Sequence, residues 1–291
     1  MRALARAKLN LHLRLLARED SGYHQLETLF CRLELADELE IEAGGDGVRL
    51  SIVGPELGPP EQNLVMRAAE AFQRRAGIAT GASIHLVKRI PAGAGLGGGS
   101  SDAAATLLTL NRLFGEPLDA TELAQVGIAL GSDIPFFLAE TALALAWGRG
   151  ERLVALEALP RAHVLLAVPP FAIGTADAYR RLDAARAAGD EPVAYLHYLA
   201  DYRTWATLAA RAGNDFEDVV FPDHPLLPAL KAALHPEAFL AQLTGSGSAV
   251  FGVFHSGSAL HTAHDRLRRE FPGVALLETA TDAGEREDLL G

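Results

Sequence analysis

Residues 91–102 read PAGAGLGGGSSD, with five glycines among the seven positions from Gly93 to Gly99. Glycine gives up more backbone freedom on ordering than any other residue. A tightly packed strand-to-helix connection explains one or two such residues, not five. The run can instead turn successive N–H groups inward with no Cβ in the way. Ser100, Ser101 and Asp102 follow as capping residues for a helix start, and the helix dipole places positive potential at that end. The product is a cradle for an anion, a polyphosphate above all. Lys88 and Arg89, just upstream, can add charge.

Other chemistries fit the same residues less well. Gly93 to Gly98 satisfies G-x-G-x-x-G, a weak signal when it stands alone. A dinucleotide fold requires a strand, the turn, a helix and then a parallel strand ending in an acidic residue. Here the helix expected from about 101 to 114 is followed by a second helix with Asp119 as its cap. A Walker loop fails because no lysine precedes Ser100 or Ser101. Elsewhere, Lys8 and Asn10 are two apart where Ala7, Leu9, Leu11, Leu13 and Leu15 alternate with polar partners. That is the period of a strand, so both polar side chains project from one face about 7 Å apart. With Tyr23 and His24 after a polar turn at 19–22, they form a constellation suited to a hydroxylated substrate.

The elements that must position these groups follow from periodicity. Strands are expected near 4–16, 26–35, 38–43 and 48–53. A helix is expected over 63–76, a strand over 83–89, and helices over 101–114 and 121–130. Segments 141–147 and 152–156 read as extended. Pro160 marks a boundary, giving an N-terminal domain over 1–158 and a C-terminal one over 159–291. Beyond it the pattern gives a strand over 162–168 and helices over 175–188, 192–211 and 225–234. Two strands around a Gly/Ser turn follow, then a helix over 260–271 and a strand over 274–279. The order β, helices, β, β, α, β suits a ferredoxin-like antiparallel sheet with helices on one face. The fold class is α+β.

Composition sets outer bounds. The 291 residues carry 26 basic and 37 acidic side chains, a formal charge of −11. That argues against non-specific nucleic-acid binding, which needs a basic field. One cysteine, Cys31, allows no internal disulfide, and no Cys/His cluster has zinc spacing. His261 and His264 read as a solvated pair. No apolar run reaches transmembrane length; the best, 134–147, is short and contains Glu140. A cytoplasmic protein with no membrane contact and no obligate protein partner is expected.

PAGAGLGGGSSDAA resembles the phosphate loop of the GHMP kinases, the family of galactokinase, homoserine kinase and mevalonate kinase. AKLNLHL resembles the family's first motif, and LTGSGSAVFGVF its third. Within the family, AKLNLHLRLLAREDSGYHQLETLF is similar to the branch that phosphorylates a cytidine diphosphate-linked polyol in non-mevalonate isoprenoid synthesis. Ser21-Gly22 stands where that branch has Asp-Gly. GSDIPFF (131–137), WGRGERL (147–153) and PPFAIGTADAY (169–179) match as well, so the likeness runs from about residue 3 to 279.

The resemblance implies a two-domain kinase with its active site in the cleft between domains. ATP is the co-substrate with Mg²⁺, and the acceptor is the substrate's 2-hydroxyl. Lys8 and Asp133 are then the catalytic pair, Asp133 taking the hydroxyl proton and Lys8 offsetting negative charge. Asn10, Tyr23, His24, Thr175 and Tyr179 bind the substrate, with the tyrosines stacking on the base and His24 meeting its Watson–Crick edge. Asn63 and Lys88 point to the adenosine, while Pro91, Gly93, Gly95, Leu96, Gly97, Gly98, Gly99, Ser100 and Ser101 hold ATP. Thr244 to Ser248 cover the phosphates from the second domain. The metal ligands are unassigned, with Ser101 as the candidate. Asn214 reads as a helix cap rather than a catalytic residue. Two alternatives stay open: a GHMP kinase for another small molecule, and a non-catalytic relative that binds a nucleotide or sugar phosphate.

Overall fold

A computed structural model describes residues 1–20, 22–55, 58–187 and 198–284. Strand β1 (Arg2–Arg18) pairs antiparallel with β2 (His24–Asp46) along almost its whole length. The other edge of β2 is shared: β5 (Leu143–Gly148) pairs with residues 26–31 and β4 (Thr80–Val87) with residues 38–46. β3 (Val48–Val53) joins β4 in parallel, and β6 (Arg152–Leu156) closes the far end beside β5. Helices α1 (Leu64–Ala76) and α2 (Gly98–Leu113) pack on this sheet, and α3 (Ala120–Leu130) and α4 (Ile134–Leu138) pack against those two helices. Phe72, Phe30 and Phe136 lie at the centre of that core; full burial of one such ring is worth about 1.5–3 kcal/mol.

The second half builds a four-stranded antiparallel sheet. Its strands are β7 (His163–Val168), β8 (Leu240–Leu243), β9 (Val250–Phe254) and β10 (Ala275–Ala280). Between β7 and β8 run α5 (Thr175–Ala187), α6 (Trp205–Ala209), α7 (Phe216–Val220) and α8 (Leu226–Leu234); α9 (Gly257–Glu270) connects β9 to β10. Numbered from β7, the strand order is 4-1-3-2, the ferredoxin-like arrangement expected from the pattern of elements.

β1 ties the two halves together. Its Ala3 and Ala5 belong to the core of the first sheet, Ala7, Leu9 and Leu11 to a seam containing Val164, Leu166 and Phe251, and Leu13 and Leu15 to the core of the second sheet. The alternation of the sequence suggests one wet face, but both faces are covered: Lys8, Asn10 and His12 are buried with the leucines. The pairing with β2 slips between Arg6 and Lys8 and again between Asn10 and His12. Such irregularities re-aim side chains and favour functional sites.

Three expectations are corrected. The two strands placed at 26–35 and 38–43 are one strand, because the buried Asp37 between them is fully bonded. The helix expected over 192–211 is instead a 3₁₀ turn at Leu199–Tyr202 and the short α6, capped by Thr204, whose hydroxyl accepts from Thr207 N; residues 192–197 lie outside the described ones. The helix after the glycine run starts at Gly98, inside the run, rather than at Ser101.

Candidate active site

The glycine run docks against β1. Gly93, Gly95 and Gly97 all have positive φ, the region open to glycine at little cost. Lys8 N donates to Leu96 O at 3.0 Å, which fixes the loop to the strand. A Cβ on Gly97 would lie 2.9 Å from Lys8 Cγ and 3.0 Å from Phe137 Cζ, so the bare Cα makes room for the lysine stem. From the other domain, Ala249 N donates to Ala94 O at 3.2 Å and Gln242 Nε2 to Asn10 O at 2.9 Å. Thr244 Oγ1 accepts from Asn10 N at 3.1 Å.

At this junction Lys8 Nζ donates to Asn10 Oδ1 at 2.6 Å and to Gly95 O at 2.9 Å, and stands 3.5 Å from Asp133 Oδ2. Asn10 is oriented in turn: its amide donates to Thr28 Oγ1, which donates to His12 O. Burial lowers the pKa of Lys8, and the Asp133 carboxylate pulls the other way. Asp133 opens α4 but makes no capping bond with its side chain. Its carboxylate is therefore left to Lys8 and to solvent, with 32% of the side chain exposed. A Cβ on nearby Gly131 would lie 3.9 Å from Ser100 Oγ, so the Asp133 loop and the start of α2 are neighbours.

The residues expected to bind the substrate include Tyr179, near Asp133, and Thr175, beside the Gly/Ser turn. Tyr23 is 59% exposed. One face of its ring carries the Arg149 guanidinium, 4.1 Å from the centroid, and Glu19 holds that arginine. His24 is buried, stacks on Tyr179 at 4.8 Å, and binds Asp183 Oδ1 through Nε2 at 2.7 Å. Burial pushes the Tyr179 phenol up to about 12, with the Asp133 carboxylate as a second cause. Thr175 Oγ1 lies 3.1 Å from Ser246 Oγ, linking the start of α5 to the Gly/Ser turn. Asn214 is a brace, as its sequence context suggests: its oxygen accepts from Phe216 N, and its amide donates to Leu243 O and Gly245 O.

The nucleotide-side residues divide. Pro91 and Ser100 are half-buried along the loop, and Ser101 is buried in the first turn of α2. Asn63 caps α1, accepting from Val65 N at 2.9 Å. Arg89 turns outward to Glu38. Lys88 is sealed in: its ammonium bonds Asp37 and, at 2.8 Å, Asp102 Oδ2. Asp37 also accepts from Ile90 N at 2.8 Å and from Arg89 N. The cluster thus grips the entry to the loop and the start of α2, and a Cβ on Gly98 would sit 3.2 Å from Lys88 Nζ. Sequence reasoning missed Asp37, Thr28 and Asp183. Only Asp183 left a local signal, one helical turn beyond Tyr179 on α5.

Desolvation pushes the Asp102 carboxyl up to about 7, against the opposing pull of Lys88. The folded protein therefore holds a proton there that the unfolded chain releases near its ordinary carboxylate pKa. Stability should fall as pH rises from about 4 to about 7. In Asp102→Asn that dependence disappears, so its Tm relative to the unmodified protein should climb with pH in thermal denaturation. A difference in Tm that stays flat across the window would refute the assignment.

Residues 63–141 match the model of the GHMP kinases N terminal domain. The chain is 39% identical over 258 residues to the 4-diphosphocytidyl-2-C-methyl-D-erythritol kinase of Syntrophus aciditrophicus, covering 88% of this chain and 90% of the relative. It is 40% identical over 281 residues to the same enzyme of Moorella thermoacetica, covering 94% and 97%. A crystal structure of 4-(cytidine 5'-diphospho)-2C-methyl-D-erythritol kinase superposes with a TM-score of 0.77 at 33% identity, over 97% of this chain and 99% of that one. A mevalonate kinase superposes with a TM-score of 0.67 at 13% identity, a likeness of fold alone. Similarity of this order along nearly the whole length, on a shared fold, means that the chain belongs to the GHMP kinase family, among the 4-diphosphocytidyl-2-C-methyl-D-erythritol kinases.

Proposed function

We propose that the protein transfers the γ-phosphoryl group of ATP to the 2-hydroxyl of 4-diphosphocytidyl-2-C-methyl-D-erythritol, giving the 2-phosphate and ADP. The observation that carries this reading is the meeting of Lys8 Nζ and Asp133 Oδ2, 3.5 Å apart, at the lip of the glycine loop. Phosphoryl transfer asks a protein mainly for alignment and charge stabilisation. Loop N–H groups and the N-terminus of α2 hold the β- and γ-phosphates. Asn10 and Lys8 hold the acceptor hydroxyl, whose proton passes to Asp133 as the new O–P bond forms and the bond to the β-phosphate oxygen breaks. Lys8 offsets the charge that develops on the transferring group.

Lys88 is assigned to the loop's foundation as well as to the nucleotide side, and Asn63 stands close by at the start of α1. A Cβ on Gly99 would lie 3.5 Å from Leu64 Cδ1, so the α1 cap and the loop adjoin. No three metal-ligating side chains gather among the described residues. Mg²⁺ would be held chiefly by phosphate oxygens and water, with the Ser101 hydroxyl in the first turn of α2 as the candidate protein ligand. The ion would supply neutralisation of the phosphate charge. Tyr23 and Tyr179 receive the cytosine, and Thr175 lines the substrate pocket. We assign the protein to the cytoplasm, where ATP is replenished. Among the described residues no helix is long and apolar enough to cross a membrane.

Coupled ADP release with and without the cytidylylated substrate tests the proposal. ADP formation that ignores that substrate, or that proceeds with a polyol lacking cytidine, would point to another small-molecule kinase. Tyr23→Ala should raise KM for the cytidine substrate by a factor of about 5–150, the equivalent of roughly 1–3 kcal/mol of stacking per base. An unchanged KM would remove Tyr23 from the base site.

A further inference from the structure

We infer that Asp183 is a specificity-determining residue, which presents His24 Nδ1 as a bare acceptor so that the site takes a base with an exocyclic amino group and rejects its oxo counterpart. The inference rests on the cytidine reading above and says how that base is told from uracil. His24 Nε2 lies 2.7 Å from Asp183 Oδ1. An ionised carboxylate only accepts, so the ring must carry its proton on Nε2. In a neutral imidazole the other nitrogen is then an acceptor, the tautomer being set by the partner of the first.

The surroundings hold this arrangement in place. Tyr179 stacks on the imidazole with planes 21° apart, which restricts rotation of the ring. Tyr179 and Asp183 are four apart on α5 and share a helix face, so one element supplies both the stack and the carboxylate. Arg18 Nη1 stands 3.5 Å from Asp183 Oδ2, which steadies the carboxylate from its other side. Nδ1 makes no hydrogen bond to a described residue, and it is not among the polar atoms sealed from solvent without a partner. It is therefore the open edge of a ring that is otherwise fixed.

Cytosine offers a 4-amino donor to such an acceptor; uracil offers a carbonyl oxygen at the same place. Acceptor facing acceptor leaves both unpaired, and a site built around a hydrogen bond discriminates strongly against a ligand that cannot make it. Asp183 acts through His24 and need not touch the base.

In Asp183→Asn the amide can donate to Nε2, which allows the proton to move to Nδ1. The kcat/KM ratio for the cytidine-linked over the uridine-linked substrate should fall by about 10- to 100-fold, mainly through KM. Asp183→Glu, which restores an acceptor-only carboxylate, should recover part of the preference. The ¹⁵N spectrum of ring-labelled protein should show His24 protonated at Nε2 in the unmodified protein and shifted toward the other tautomer in Asp183→Asn. A proton on Nδ1 in the unmodified protein would overturn the proposal even if the variants did not fold. So would an unchanged substrate ratio in a folded Asp183→Asn. If the unmodified protein releases no ADP with either nucleotide-linked polyol, the substrate reading itself falls and takes this inference with it.

Discussion

Asp133→Asn should lower kcat by a factor of about 10²–10⁴, the usual range for loss of a positioned proton acceptor, while ATP binding stays nearly unchanged. The amide keeps the size of the carboxylate but cannot take the hydroxyl proton. It also removes the charge that stands 3.5 Å from Lys8 Nζ. Asp133 raises the pKa of Lys8 against the lowering caused by burial, so the variant loses support for the ammonium as well. Lys8 would then hold its charge less firmly at alkaline pH. The fold has little stake in the side chain, because Asp133 caps nothing at the start of α4. Steady-state kinetics together with calorimetric titration of a non-hydrolysable ATP analogue separate the two effects. An equal loss of turnover and nucleotide affinity would mean that Asp133 is a structural residue.

Gly95→Ala is the second large effect. Gly95 has φ +79°, and a Cβ there would stand 2.1 Å from the carbonyl oxygen of Thr244. That oxygen is backbone and cannot swing aside as a side chain would. The left-handed conformation costs a non-glycine residue about 1–2 kcal/mol, and forcing packed groups apart adds roughly 1–3 kcal/mol. A destabilisation of about 2–5 kcal/mol follows, with KM for ATP rising because the loop and the Gly/Ser turn are pushed apart. Gly115 provides the control. It too has positive φ, +81°, but a Cβ there meets nothing within 4 Å. Gly115→Ala should therefore show only the conformational cost, about 1–2 kcal/mol, with normal nucleotide binding. Equal losses in the two variants would mean that the contact between Gly95 and Thr244 contributes nothing.

Comparison of the two variants also shows why some features of the site can be read from the chain and others cannot. A glycine run is visible because it breaks composition locally. Its partner across the cleft, Thr244, is 149 residues away and leaves no mark on residues 91–102. Asp37 is a sharper case. An acid between apolar stretches reads as an interruption, so β2 looks like two strands. In the folded protein Lys88 and the N–H groups of Arg89 and Ile90 satisfy that carboxylate, and the strand runs on. Burying a charge without such partners would be prohibitive; with them it becomes a fastener between β2 and the loop. For the same reason Lys88, which looks like free positive charge near the phosphate site, is enclosed.

Local patterns were enough for whatever depends on neighbours along the chain. The glycine-rich turn into α2, the shared face of Lys8 and Asn10, the Asp119 cap and the 4-1-3-2 order of the second sheet all follow from periodicity, capping chemistry and the succession of elements. Contacts between distant segments lie beyond that reach. The burial of Lys8, its approach to Asp133, the His24–Asp183 bond across 159 positions and the Lys88 cluster all arise when separate elements pack. Periodicity says which side chains share a face, because backbone geometry repeats over a few residues. It carries no record of what that face will meet, since the meeting depends on how all the other faces find cover from water.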